Sequence, residues 1–288
     1  MSAAGLTHGL AVLMTLALFA LLLCAPFPAA FFPAVLLLHR IGVMVHEYIH
    51  GIPFRQYRHS LRVLAFVDGV TLSFGLLEFF RVTHLMHHRW LNSRGDATYD
   101  NAHAPPIGTR AAVLPAVITR HVTSYLLALR GRHLHVRCAQ SQLGLAGTVL
   151  WMGLWLAIGR SDIIWKLLLL VAFTSAVPVS LRRVIEHYSE SGASGFANEY
   201  RVLIPLFNIN RHIHHHEQPR VPWYALQFRT AVPLPWHVYF SYWFRAHIRK
   251  ELVLMRPMPS SRVRARSPNQ DLGDNSSLKS SRSVESSS

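Results

Sequence analysis

The residues most able to do chemistry are histidines in three spaced groups. The densest lies in Asn208-Ile-Asn-Arg-His-Ile-His-His-His-Glu-Gln-Pro219. On a helix advancing about 100° per residue, His212, His215 and His216 stand at i, i+3 and i+4 and share a face. His214 is rotated away from it. The same His-x-x-His-His spacing recurs at His84, His87 and His88, and a shorter His-x-x-x-His at His46 and His50. Neutral imidazole suits iron, zinc, copper and nickel, and an i, i+4 pair can chelate one ion from a single helix. His187 is a ninth candidate. A structural zinc takes four ligands and a catalytic zinc three, so eight or nine imidazoles are too many for one ion and suit two. Few carboxylates lie near the groups: Glu47, Asp96, Glu186 and Glu217.

The elements that must position these histidines read as membrane helices. Hydrophobic residues make up 51% of the 288, and the mean hydropathy is positive. No Asp, Glu, Lys or Arg occurs in residues 1–39. Two apolar runs, Gly9 to Cys24 and Ala29 to Val45, flank Pro26 and Pro28 and predict a helical hairpin that crosses the bilayer and returns. A cleaved signal peptide ending near Ala29-Ala30 is the rival reading, but the basic n-region is missing. Leu61 to Phe80 is apolar yet carries Arg62, Asp68 and Glu78, and Ala111 to Leu129 holds Arg120 and His121. Both read as interfacial or buried against other helices. Residues 93–110 read as loop. Leu143 to Gly159 and Ile163 to Leu181, joined by Gly159-Arg-Ser-Asp162, predict a second hairpin, with Lys166 able to snorkel. The expected architecture is therefore all-α and integral to the membrane, with about four transmembrane helices in two hairpins. A cytosolic helical cap carries the histidine groups. Residues 1–256 form the catalytic unit, and the Ser/Arg-rich residues 257–288 form a disordered tail.

Charge orients this arrangement. Lys and Arg number 29 against 14 Asp and Glu. Such an excess can mean nucleic acid, but the apolar runs favour the cytoplasmic face of a bacterial inner-membrane protein, with no nucleic-acid partner. The basic residues crowd segments 46–142 and 182–288, so all three histidine groups fall on the cytoplasmic side. Cys24 and Cys138 are the only cysteines, and no Cys-x-x-Cys occurs. That excludes an iron–sulfur cluster, a rubredoxin site and a disulfide framework.

With these boxes in this order, the chain resembles the integral-membrane fatty acid desaturase and hydroxylase superfamily over roughly residues 30 to 236. The resemblance is carried by His46-Glu-Tyr-Ile-His50, His84-Leu-Met-His-His88 with Arg89-Trp-Leu-Asn92, and Arg183-Val-Ile-Glu-His187. Asn208 to His216, followed by Pro219 and Val221-Pro-Trp-Tyr224, completes it. It implies a non-haem centre of two iron ions (Fe2+/Fe3+) that activates dioxygen against an unactivated C–H bond of a lipid chain. The implied ligands are His46, His50, His84, His87, His88, His187, His212, His215 and His216, with no catalytic residue separate from them. Glu47, Arg183, Glu186 and Asn208 are candidates to contact the ligands from behind. Some relatives acting on acyl-CoA carry Asn where Arg183 stands, and a charged arginine is no metal ligand. That departure puts a water-mediated metal contact and the acyl-CoA substrate in doubt.

The expected reaction is a double bond introduced into a fatty acyl chain. Hydroxylation or ketolation of a lipid or carotenoid is the alternative. Electrons must come from outside, from a ferredoxin-like or small haem protein with its reductase. Arg55, Arg58, Arg130, Arg132 and Arg137 could steer an acidic donor or simply hold topology against anionic lipid. Two other classes remain. His46-Glu47-Tyr-Ile-His50 also matches the His-Glu-x-x-His of zinc proteases, which leaves six or seven histidines unexplained. A metal transporter would hold ligands near the bilayer midplane, where the expected spans have almost none. The aromatic residues from Trp223 to Trp243 suit an interfacial belt better than a lipid channel.

Overall fold

The computed structural model describes residues 3–54, 56–91, 93, 96, 138–187, 197–202 and 207–249. The segment Ala111 to Leu129, the tail from 257, most of the loop 93–110, and Arg55, Arg130, Arg132 and Arg137 lie outside the described residues. Helices α1 (Ala3–Cys24) and α2 (Phe27–Ile49) make the first hairpin. Pro26 caps α2 and Pro28 sits in its first turn, where a missing N–H costs nothing. Next come α3 (Tyr57–Val70) and α4 (Leu76–Trp90). Helix α5 (Cys138–Ala157) turns into α6 (Ser161–Thr174), which continues through a five-residue π segment, Ser175–Val179, into α7 (Ser180–His187). Beyond it lie β1 (Tyr200–Arg201), α8 (His212–Glu217), a 3-10 turn at Trp223–Ala225, β2 (Leu234–Pro235) and α9 (Trp236–Arg249).

The architecture is mostly helical. Among the described residues, three stretches are long and apolar enough to cross a membrane: Gly5–Cys24, Phe27–Ile49 and Ser161–His187. Helix α5 has 20 residues but is not among them; its first turns carry Gln140, Ser141 and Gln142. Among the described residues, β1 pairs parallel with β2, Tyr200 opposite Leu234, beside an isolated bridge between Glu199 and Arg211.

The α5–α6 corner has a local cause. Gly159 adopts φ 72°, which glycine tolerates without a Cβ clash. The Arg160 N–H then reaches the Trp155 carbonyl and the Gly159 N–H the Leu156 carbonyl, closing the helix end. Lys166 bonds Asp162 at 2.7 Å and the Leu22 carbonyl at 3.2 Å, so this corner abuts the end of α1.

The main core joins α1, α2, α3 and α6 through Leu18, Leu22, Leu38, Met44, Leu64, Ile163, Leu167 and Leu170. Helices α3 and α5 approach still more closely, because small residues face each other. A Cβ on Gly69 would lie 2.8 Å from the Gly147 backbone, and one on Gly144 would lie 2.9 Å from Asp68 Cγ.

Leu61 to Phe80 is not one segment, as its composition suggests. Leu72, Phe74 and Gly75 take positive φ and split it into α3 and α4. Asp68 stabilises the break: its carboxylate accepts the Gly75 N–H at 2.6 Å and the Leu77 N–H at 2.9 Å. Both donors lie at the start of α4, where no intrahelical acceptor exists. The acid that looks out of place in an apolar run is therefore the cap of the helix carrying the second histidine group.

Candidate metal centre

Three helices end at one place. His46 stands in the last turn of α2 and His50 caps it. His87 and His88 lie in the last turn of α4, with His84 one turn earlier. His187 is the final residue of α7. The short helix α8 brings His212, His215 and His216. A helix C-terminus carries partial negative charge, so three such ends favour a cation between them.

Side chains fix α4 against α2. Arg81 grips Glu78 with two bonds, at 2.7 and 2.6 Å, and donates to Tyr57 Oη at 3.2 Å. Tyr57 donates in turn to the Ile49 carbonyl at 3.3 Å. The charges of Arg81 and Glu78 thus join two histidine helices. From the other side, Tyr48 Oη meets His8 Nδ1 of α1 at 2.7 Å.

The nine histidines form two clusters. His46, His50, His84, His88 and His215 make the first; His87, His187, His212 and His216 make the second. Within each, one ligand atom per residue lies within 4.8 Å of every other. In the first, Nε2 atoms meet between His50 and His84 at 3.0 Å, His84 and His88 at 3.1 Å, and His88 and His215 at 2.9 Å. In the second, they meet between His87 and His187 at 3.0 Å, His187 and His212 at 2.9 Å, and His212 and His216 at 3.0 Å. The clusters adjoin, with the His88 ring stacked on His216 at 4.3 Å.

These spacings fit bound metal. With metal–nitrogen bonds of about 2.1 Å, ligands at right angles lie about 3.0 Å apart and tetrahedral ligands about 3.4 Å apart. The nitrogens here keep the shorter spacing. His46 supplies a second observation: both of its ring nitrogens are buried without a hydrogen-bond partner, a costly arrangement that a metal bond relieves. Burial, the largest cause, holds His84, His88, His212, His215 and His216 well below the usual imidazole range and His50 at about 3. All six are thus kept in the neutral form that ligates.

Around the second cluster stand carboxylates. Asp96 Oδ2 accepts from His87 Nδ1 at 2.7 Å, the arrangement that fixes the tautomer of a ligating imidazole. Glu186 Oε2 lies 3.7 Å from His212 Nε2. Tyr200 donates to Glu186 Oε1 at 3.0 Å, and Arg182 donates to the same carboxylate. The loop after α8 is clamped by Glu199, which accepts the Arg229 and Thr230 N–H groups at 2.8 Å.

Among the other candidates, Glu47 is buried beside His46 but belongs to neither cluster; the Trp223 backbone N–H lies near its carboxylate, whose Oε2 is buried without a hydrogen-bond partner. Arg183 is half-buried on α7, one turn before His187. Asn208 takes a left-handed backbone, φ 55°, and its carbonyl accepts the Arg211 N–H, so it shapes the turn into α8. His214 points away from both clusters, as its spacing implies, yet it is buried and its Nδ1 accepts the Gln227 N–H at 2.8 Å. Sequence reasoning noted Asp96 without its role and missed Tyr200 altogether. The local signal for Tyr200 is one aromatic hydroxyl between Glu199 and Arg201, which is no motif.

Known families place this architecture. The family profile described as Fatty acid desaturase matches residues 9–246. No curated protein and no solved structure matches the chain.

Proposed function

The chain belongs to the fatty acid desaturase family, and from that premise we propose that it is a membrane lipid oxidoreductase holding two iron ions. It uses dioxygen as co-substrate to introduce a double bond into a fatty acyl chain. The nine histidines are the ligands, five at the first site and four at the second. The nitrogen spacing of 2.9 to 3.1 Å carries this reading, because it suits right-angled ligands around two centres. When bound, the irons would supply the dioxygen chemistry that removes hydrogen from an unactivated methylene.

The chain's own residues hold and orient. Asp96 keeps the Nδ1 proton on His87, so that Nε2 is free to ligate. Arg81, Glu78 and Tyr57 keep α4 in register with α2. Burial excludes bulk water from the second cluster, whose four histidines are all buried. The His46-Glu47-x-x-His50 motif is not used as in a zinc protease: three more imidazoles surround His46 and His50, and Glu47 belongs to neither cluster.

The reading also has four spans, with α5 as the third, and a single catalytic unit over residues 1–256. It places the centre on the cytoplasmic face of a bacterial inner membrane and draws electrons from an external ferredoxin-like or small haem protein. The clusters support this by lying at the ends of the apolar helices. Fatty acid profiling of a host expressing the protein tests it, with His215→Ala as control. A new unsaturation absent from the control supports desaturation. A new alcohol or ketone moves the assignment to hydroxylation or ketolation, and no lipid change overturns it.

A further inference from the structure

His39 and Arg40 stand two turns before His46 and Glu47, inside the otherwise apolar α2. His39 is 8% exposed and Arg40 is half-buried. Arg40 Nη1 donates to His39 Nδ1 at 3.2 Å, and the guanidinium lies over the Phe207 ring at 5.6 Å. Arg182 is close enough for its charge to act on both, but Arg182 is held by Glu186 at 3.1 Å. No carboxylate among the described residues pairs with Arg40. An unneutralised charge within an apolar span is costly and marks a functional site.

An aromatic wall leads from this cation to the metal centre. Phe207 meets Trp223 at 4.8 Å, and the backbone N–H of Trp223 lies near the Glu47 carboxylate beside His46. Along α2 the distance from Arg40 to Glu47 is about 10 Å.

We propose that Arg40, oriented by His39 and Phe207, binds the carboxylate of a free fatty acid whose chain runs along Phe207 and Trp223 toward the histidines. The inference rests on the lipid-oxidising reading above and narrows its substrate class. A planar guanidinium fork matches a carboxylate with two parallel bonds, whereas a thioester or methyl ester offers no charge there.

The test titrates parinaric acid, a fluorescent polyene fatty acid, and its methyl ester into the full-length protein in detergent. The acid should bind the wild type about tenfold or more tighter than the ester. Arg40→Gln should bring the acid down to the level of the ester. Arg40→Lys, which keeps the charge, should retain part of the preference, and Arg58→Gln, at an exposed arginine of α3, should retain all of it. Equal binding of acid and ester by the wild type, or an intact preference in Arg40→Gln, overturns the subsite and leaves the proposed function standing. So does an Arg40→Lys variant as impaired as Arg40→Gln, since packing rather than charge would then be responsible. Failure of the wild type to bind either ligand overturns the subsite, and the lipid profile alone then decides the proposed function. Stronger competition by lysophosphatidate than by the free acid overturns the carboxylate assignment in favour of a phosphate-ended lipid.

Discussion

The five-histidine and four-histidine clusters draw on the same two boxes by opposite rules. In α4 the i, i+4 pair His84 and His88 serves the first cluster and His87 crosses to the second. In α8 the pair His212 and His216 serves the second and His215 crosses to the first. Each helix therefore clamps both sites, and neither site forms without both helices. The surroundings differ as well. The second cluster is wholly buried and backed by Asp96 and Glu186. In the first, His50, His84 and His88 are only half-buried, and among the described residues no carboxylate joins the group. The first cluster is thus the more exposed of the two, and the second the more enclosed.

The largest effects should come from removing a ligand. His216→Ala should cost metal at both sites, because His216 also stacks on His88, whereas His50→Ala should leave about half the metal of the wild type. Metal analysis of purified protein reads the difference, and equal losses would break the asymmetry. Asp96→Asn should weaken the second site about 10- to 100-fold while sparing the first, measured by competition with a graded chelator. In the wild type the same chelator should strip the first cluster before the second; the reverse order would mean that exposure does not govern release.

Two smaller effects separate scaffold from site. Asp68→Ala leaves the Gly75 and Leu77 N–H groups without their acceptor and should cost about 1–3 kcal/mol of stability, seen as a lower melting temperature with both clusters affected alike. His214→Ala removes the acceptor of the Gln227 N–H and should cost about 1 kcal/mol with no change in metal content. A loss of metal in that variant would place His214 among the ligands.

Much of the site was legible because its signals are local. Three boxes, the flanking apolar runs and the exclusion of His214 follow from a helix period that acts over four residues. The break between α3 and α4 was not legible. Asp68 reads as a misplaced charge until the N–H groups it caps, seven and nine residues later, are folded back onto it. Nor was the α3–α5 crossing, since Gly69 and Gly147 are separated by 78 positions and contact only in three dimensions.

By itself the sequence determined which imidazoles share a helical face, because backbone periodicity is set by neighbouring residues. Tertiary structure alone decided how those faces divide between two sites. That division depends on contacts such as His87 with His187 and His88 with His215, 100 and 127 residues apart. How one helix end is turned against another is fixed by packing across the core, and no local repeat encodes it.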